Sequence, residues 1–413
     1  MTVLEDIAVL ATPVAGDPPN TVRETPDAAL VWEGDTIRWV GPRAALPAAF
    51  ARAHRVSAGG RLVVPGLVDA HTHLCFGGWR ADEFAKRLRG ADYRAVARRG
   101  GGIAATMHAT RAASEADLAA RGAGFLAAMR RLGVTTAEVK SGYGLSLEHE
   151  LAALRAYRRL AAAQPTRLVP TCLAAHIVPP EFASDRAAYV RLLTDALLPA
   201  VAAEGLARYA DVFVEETAFS PDEARAILDA AARLGLGAKL HVDQLGEGGG
   251  AELAVALGAA SADHLERVSA AGIRALAASA TVAVTLPIAA LYLGTPFAPG
   301  RALVDAGAAV AVATDFNPGS APSYDLHLAL LLACTRQRMT PAEALAGATL
   351  VAARAIGMAA EVGSLEPGKK ADLAVLDAPD LGFWLYHYRP GTCVRTVIGG
   401  QTVWQAPAEP YVP

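Results

Sequence analysis

Cysteine is scarce: Cys75, Cys172, Cys334 and Cys393 are the only four, and no two of them form a CxxC pair. That excludes a small disulfide-built scaffold and suits a reducing cytoplasm, where this chain is expected. Lysine is almost as rare, limited to Lys86, Lys140, Lys239, Lys369 and Lys370. No long basic run occurs and the net charge is −3, so no nucleic-acid partner is expected. The N-terminus, with Glu5, Asp6 and Asp17, lacks the charged start and apolar core of a signal peptide. Charge is missing altogether from residues 275–300, a length able to span a bilayer. Pro287 and Pro296 interrupt that stretch, and 281–286 reads as a buried strand followed by a loop. No membrane partner is expected.

What the chain does have is apolar bulk, with 53% hydrophobic residues among 413. That is enough for a large core and argues against disorder. The length accommodates a barrel of about 250 residues plus a smaller unit. Short apolar pieces at 28–32 and 36–40, and again at 372–376, 394–398 and 402–404, are separated by Gly, Pro and Asp. These predict strands and turns. The two ends are expected to pair into one small β-domain, residues 1–60 with 365–413. Between them, strands are predicted at 62–70, 134–140, 167–175, 211–215, 237–242, 259–263, 281–286 and 308–314. Helices are predicted between them, at 114–132, 147–163, 221–234 and 249–257 among others. Eight strands alternating with helices give an α/β fold, a (β/α)8 barrel over residues 61–364.

Catalytic groups in such barrels sit at the carboxyl ends of the strands. The first predicted strand runs into His71-Thr72-His73. Side chains two apart on a strand share a face, so both imidazoles can reach one metal ion. Two solvated histidines at a strand end would look the same. The third strand ends at His176, the fifth at His241-Val242-Asp243-Gln244, the sixth at Asp263-His264 and the eighth at Thr314-Asp315-Phe316-Asn317. Five of the ten histidines thus fall at predicted strand ends, a clustering that packing does not explain. His54, His108, His149, His327 and His387 have no such placement and read as structural. Three His and one Asp suit Zn²⁺ or iron with a position left open for water. Such an ion lowers the pKa of its water to about 7, and a further His can steady an oxyanion.

The arrangement resembles the amidohydrolase superfamily. The resemblance is carried by His71-Thr72-His73-Leu74, Phe76-Gly77-Gly78 with Arg80, and Gly100-Gly101-Gly102-Ile103. It continues through Glu138-Val139-Lys140-Ser141-Gly142-Tyr143-Gly144, Ala175-His176, Val214-Glu215-Glu216 and Thr314-Asp315-Phe316-Asn317-Pro318-Gly319-Ser320. It covers roughly residues 60–390. The HxH is shared by many amidohydrolases, whereas the Lys-Ser-Gly-Tyr-Gly and Asp-Phe-Asn-Pro-Gly segments are narrower signals. They are most similar to the branch that opens the cyclic amide of 4-imidazolone-5-propanoate to N-formimidoyl-L-glutamate in histidine degradation.

That resemblance implies one metal ion, zinc or iron, held by His71, His73, His241 and Asp315. It implies substrate contacts from Arg80, Tyr143, His176, Gln244, Asn317, Gly319 and Ser320. Asp315, His264 and His176 are the expected catalytic side chains. An Arg suits a propionate carboxylate through paired hydrogen bonds. Lys140 lies on an earlier strand than the bridging lysine of two-metal relatives, which favours a single ion. Gln244 stands where some relatives carry a proton-relaying Glu, and Gln cannot relay a proton. It is therefore expected to orient substrate. A small-molecule substrate and a homodimer are also implied. Two rival readings are an aminohydrolase acting on a nucleobase-like ring and a non-catalytic barrel scaffold. Arg80 argues against the first, and the intact ligand set argues against the second.

Overall fold

The computed structural model describes residues 1–90 and 102–407. Gly100 and Gly101 of the glycine-rich motif and the last six residues of the expected β-domain lie outside the described residues.

Fifteen strands among the described residues form two sheets. The first sheet is built from both chain ends. It contains β1 (Thr2–Thr12), β2 (Arg23–Glu33), β3 (Thr36–Pro42), β4 (His54–Pro65), β13 (Leu373–Leu376), β14 (Cys393–Ile398) and β15 (Gln401–Gln405), in the order β15-β14-β13-β4-β1-β2-β3. β1 and β4 are parallel and the other neighbours antiparallel. Its buried face gathers Leu4, Ile7, Leu10, Leu30, Trp32, Val63, Leu373 and Val397 into a core of its own.

The second sheet is the barrel: β5 (Leu67–Asp69), β6 (Val134–Lys140), β7 (Arg167–Ala175), β8 (Tyr209–Val214), β9 (Gly237–Val242), β10 (Ser261–His264), β11 (Val282–Thr285) and β12 (Val310–Val312). All eight are parallel and in sequence order. The seam between β12 and β5 is closed just beyond the strand ends by a bridge between Thr72 and Phe316. There the Thr314 amide and hydroxyl also donate to Asp69, at 3.1 and 2.7 Å. Burial pushes the Asp69 carboxyl up to about 7, against the pull of the Thr314 hydrogen bonds.

Each predicted strand has its counterpart, with one correction. The apolar run 62–70 is not one strand. It divides at Gly66, so that 62–65 complete β4 in the terminal sheet and Leu67 opens the barrel. A side chain at Gly66 would run into Thr135, so the crossing between sheets requires glycine there. The helices are set by local signals. Ser114 and Asp117 form a capping box on helix Glu115–Arg130, and Ser220 and Glu223 form another on Pro221–Arg233. The uncharged stretch 275–300 folds into the end of helix Ala270–Ala277, β11, a short helix Pro287–Leu293 and connecting loops. No helix among the described residues is long and apolar enough to cross a membrane.

Candidate metal centre and cavity

Alternation along the barrel strands fixes which side chains meet inside. Glu138 and Lys140 share a face of β6, Lys239 and His241 a face of β9, and Ser261 and Asp263 a face of β10. These faces turn inward and build the site in two levels.

The upper level is the histidine cluster. Ring nitrogens of His71, His73 and His241 all lie within 4.8 Å of one another. The Nε2 atoms of His71 and His73 are 3.3 Å apart, and Asp315 Oδ1 is 3.5 Å from each. His71 presents Nδ1 to Asp263 at 2.7 Å, and His241 presents Nδ1 to Asp211 at 3.0 Å. A carboxylate at Nδ1 keeps the proton there and leaves Nε2 bare, the tautomer a metal ligand needs. Burial, with the nearby Lys140 ammonium, holds both His71 and His241 well below the usual imidazole range. His241 Nε2 is buried without a hydrogen-bond partner, which is costly for a polar atom unless a ligand occupies that position. The donor set therefore fits a metal ion.

The lower level is charged and dry. Lys140 Nζ lies 2.9 Å from Glu138, 2.7 Å from Asp211 and 3.5 Å from Asp263. Lys239 Nζ is 2.7 Å from the other Glu138 oxygen. Burial opposes the charge on Lys140, but the three carboxylates outweigh it and hold the ammonium above its ordinary range. His71, Glu138 and Asp263 are also close enough to share a cation. Lysine ammonium groups already stand among those carboxylates. Sequence reasoning missed Asp211 and Lys239, and gave Glu138 no part. In a strand of unknown neighbours nothing marks them except charge in an otherwise apolar run.

The histidines open into a cavity of about 310 Å³. His73, Arg80, Tyr143, His176, Gln244, His264, Asp315, Asn317 and Ser320 line it, with Phe213, Ile177 and Val178 supplying apolar wall. His71 lies beneath the lining. Gly319 is not part of the lining either. A side chain there would collide with the Arg80 guanidinium, so this glycine lets Arg80 lie against the backbone of the loop. Asn317 is tied into its own turn. Its amide oxygen accepts from the Gly319 and Ser320 amides, and its Nδ2 donates to the Asp315 carbonyl and Ser320 Oγ.

His176 stacks on His73, with ring centroids 5.7 Å apart, and donates from Nδ1 to the Gly142 carbonyl at 3.0 Å. Gly142 has φ +110°, and a Cβ there would press on Leu173 and His176, so the loop requires glycine to face that ring. Burial, with His73 and His241 nearby, keeps His176 well below the usual range and hence neutral. His264 differs: burial works against its charge, but Glu266, with Asp315 and Asp263, raises it above the usual range. Glu266 Oε1 is 3.5 Å from its Nδ1. His264 and Asp315 adopt φ +85° and +55°, a left-handed backbone uncommon for residues other than glycine.

Loop anchors were also invisible beforehand. Glu150 accepts three backbone amides, from Gly142, Gly144 and Leu145. Glu215 accepts those of Gln244 and Leu245.

A parallel barrel with inward histidines and a facing aspartate at its strand ends defines a hydrolase of the amidohydrolase type. The Amidohydrolase family model matches residues 62–403. The imidazolonepropionase of Symbiobacterium thermophilum is 51% identical over 350 residues, covering 84% of this chain and 82% of its own. That of Geobacillus kaustophilus is 48% identical over 378 residues, covering 90% and 89%. In fold, the chain is similar to 5-methylcytosine deaminase from Klebsiella pneumoniae, with a TM-score of 0.72 at 18% identity over 98% of each chain. It is likewise similar to a zinc-complexed atrazine chlorohydrolase from Arthrobacter aurescens, with a TM-score of 0.70 at 18% identity over 98% and 95%. The chain belongs to the imidazolonepropionase family of amidohydrolases, and it is an enzyme.

Proposed function

We propose that this enzyme hydrolyses 4-imidazolone-5-propanoate to N-formimidoyl-L-glutamate. The observation that carries the substrate is the buried Arg80 guanidinium in the same small cavity as His73, His241, His264 and Asp315. A propionate suits that fork, and a neutral nucleobase offers it no carboxylate.

His71, His73, His241 and Asp315 would hold one ion, zinc or iron. When bound, the ion supplies Lewis acidity, which makes water nucleophilic near neutral pH. The chain's own groups do the rest. Asp315 takes a proton from the attacking water. The water oxygen joins the ring carbonyl carbon, and His264 donates to the carbonyl oxygen as it gains charge. The carbon–nitrogen bond then breaks, and Asp315 returns the proton to the departing nitrogen. His176, with its proton fixed on Nδ1 by Gly142, offers Nε2 as an acceptor to a ring N–H. Tyr143, Gln244 and Ser320 close around the substrate, while Asn317 and Gly319 shape the loop that seats Arg80. The four free thiols fit a reducing cytoplasm.

The test is ultraviolet absorbance of freshly generated imidazolonepropionate, with product identified by mass. Loss of the ring chromophore with one formimidoylglutamate per substrate is expected, and no ammonia. Ammonia release from a nucleobase-like ring, with imidazolonepropionate left untouched, would establish the aminohydrolase reading instead.

A further inference from the structure

Two ligating imidazoles, one just past the end of β5 and one on β9, each lean on a different aspartate, and both aspartates lean on one lysine. The chain of contacts runs from His241 Nδ1 to Asp211 at 3.0 Å, and from Asp211 to Lys140 Nζ at 2.7 Å. It continues from Lys140 to Asp263 at 3.5 Å, and from Asp263 to His71 Nδ1 at 2.7 Å. Lys140 itself is held from below by Glu138, which Lys239 and the Thr171 hydroxyl hold in turn, at 2.7 and 2.5 Å. All five charged side chains are fully buried. Ser261 donates to the remaining Asp263 oxygen at 2.5 Å.

We infer that Lys140 is a positioning residue for the metal centre: its single ammonium clamps Asp211 and Asp263 together and so sets the plane and tautomer of His241 and His71 at once. The inference rests on reading those two histidines as ligands. Without the ammonium, two buried carboxylates on strands either side of β9 lose the one donor that bridges them. They then turn away from one another, and the imidazoles bonded to them follow. Lys239 provides an internal comparison. It carries the same charge at the same burial, and its field also reaches Asp263 and Asp211, but its direct ion pair is with Glu138.

The experiment uses the full-length protein stripped of metal and titrated with Zn²⁺ against a chromophoric chelator, after circular dichroism has established folding. Outer partners of metal ligands are worth about 10–100-fold in affinity. Lys140→Met should lose affinity in that range, and Co²⁺ bound in place of zinc should show an altered visible absorption band. Lys239→Met should lose clearly less and keep the wild-type Co²⁺ spectrum. Equal losses in the two variants, or wild-type affinity in Lys140→Met, would overturn the inference. Should Lys140→Met not fold, Glu138→Gln/Lys140→Met removes one charge of each sign and answers the same question. The same loss is expected there, and wild-type affinity again overturns the clamp. His241→Asn separates the underlying reading: if that variant bound Zn²⁺ like the wild type, the ligand assignment itself would be wrong.

Discussion

Below the histidines, the five charged side chains Glu138, Lys140, Asp211, Lys239 and Asp263 are shut away from solvent and paired with one another. Above them, the loops are organised differently, each around one or two acceptors that gather several backbone amides. Glu150 does this for the loop after β6, Glu215 and Asp243 for the loop after β9, and Asn317 for the loop after β12. The difference is physical. Side chains on neighbouring strands can be locked by mutual ion pairs, because the sheet already fixes their spacing. Loops have no such ladder, so a carboxylate or amide must supply the order. The charged side chains and the histidines bonded to them should therefore control the ion, and the loops above should control the substrate.

The sharpest break between the levels lies in paired measurements of turnover and metal content. His241→Asn should lose both, because one ligand and its link to Asp211 vanish together. Asp315→Asn should cut turnover by about 10²–10⁴-fold, as the proton carrier is removed, with weaker metal binding alongside. Arg80→Ala should act on substrate alone. Leaving a desolvated carboxylate unpaired costs about 2–5 kcal/mol in catalytic efficiency, with metal content unchanged. Loss of metal from the Arg80 variant would dissolve the distinction between the two levels.

His264 sits at the boundary, since its ring centroid is 5.8 Å from that of His71 and 5.4 Å from that of His241. As an oxyanion donor it belongs with the substrate-binding loops. His264→Asn should retain the ion and lose about 10²–10³-fold in turnover. The opposite result, metal lost with His264→Asn and kept with His241→Asn, would exchange their roles.

The division between levels also explains what the sequence could reveal. His71, His73, His176, His241 and His264 were legible because histidine is rare in a buried strand and each stands at a strand end. The eight barrel strands were legible as short apolar stretches recurring between helical ones. Asp211 and Lys239 were not, since their meaning lies in partners supplied by other strands. Lys140 was weighed only as a bridging lysine, and its clamp depends on the register of β6 against β8 and β10. Asn317 and Gly319 were read as substrate contacts. In the structure Asn317, at the cavity wall, is also the hydrogen-bond hub of its turn, and Gly319 leaves room for Arg80, roles the motif alone does not mark. Gly66 went unnoticed because a glycine in an apolar run looks like any strand irregularity until the chain is seen to change sheets there.

The smallest expected effect tests the loop anchors. Glu215 is half-buried, and burial raises its carboxyl above the usual range while the Leu245 and Gln244 amides pull it back. One oxygen, Oε1, receives both amides, each at 2.8 Å. A glutamine side chain keeps an oxygen able to accept both, and the charge it gives up is already disfavoured by burial. Glu215→Gln should therefore behave nearly as the wild type. Glu215→Ala leaves two amides without their acceptor in a part-buried loop, at a cost of about 1–2 kcal/mol. Because the loop carries Gln244 and Leu245 into the cavity wall, that cost should appear as a rise in KM of up to about tenfold, with kcat and metal content little changed. Steady-state kinetics with metal analysis on both variants decides it. A fall in kcat without a change in KM would place Glu215 with the proton carriers rather than among the anchors.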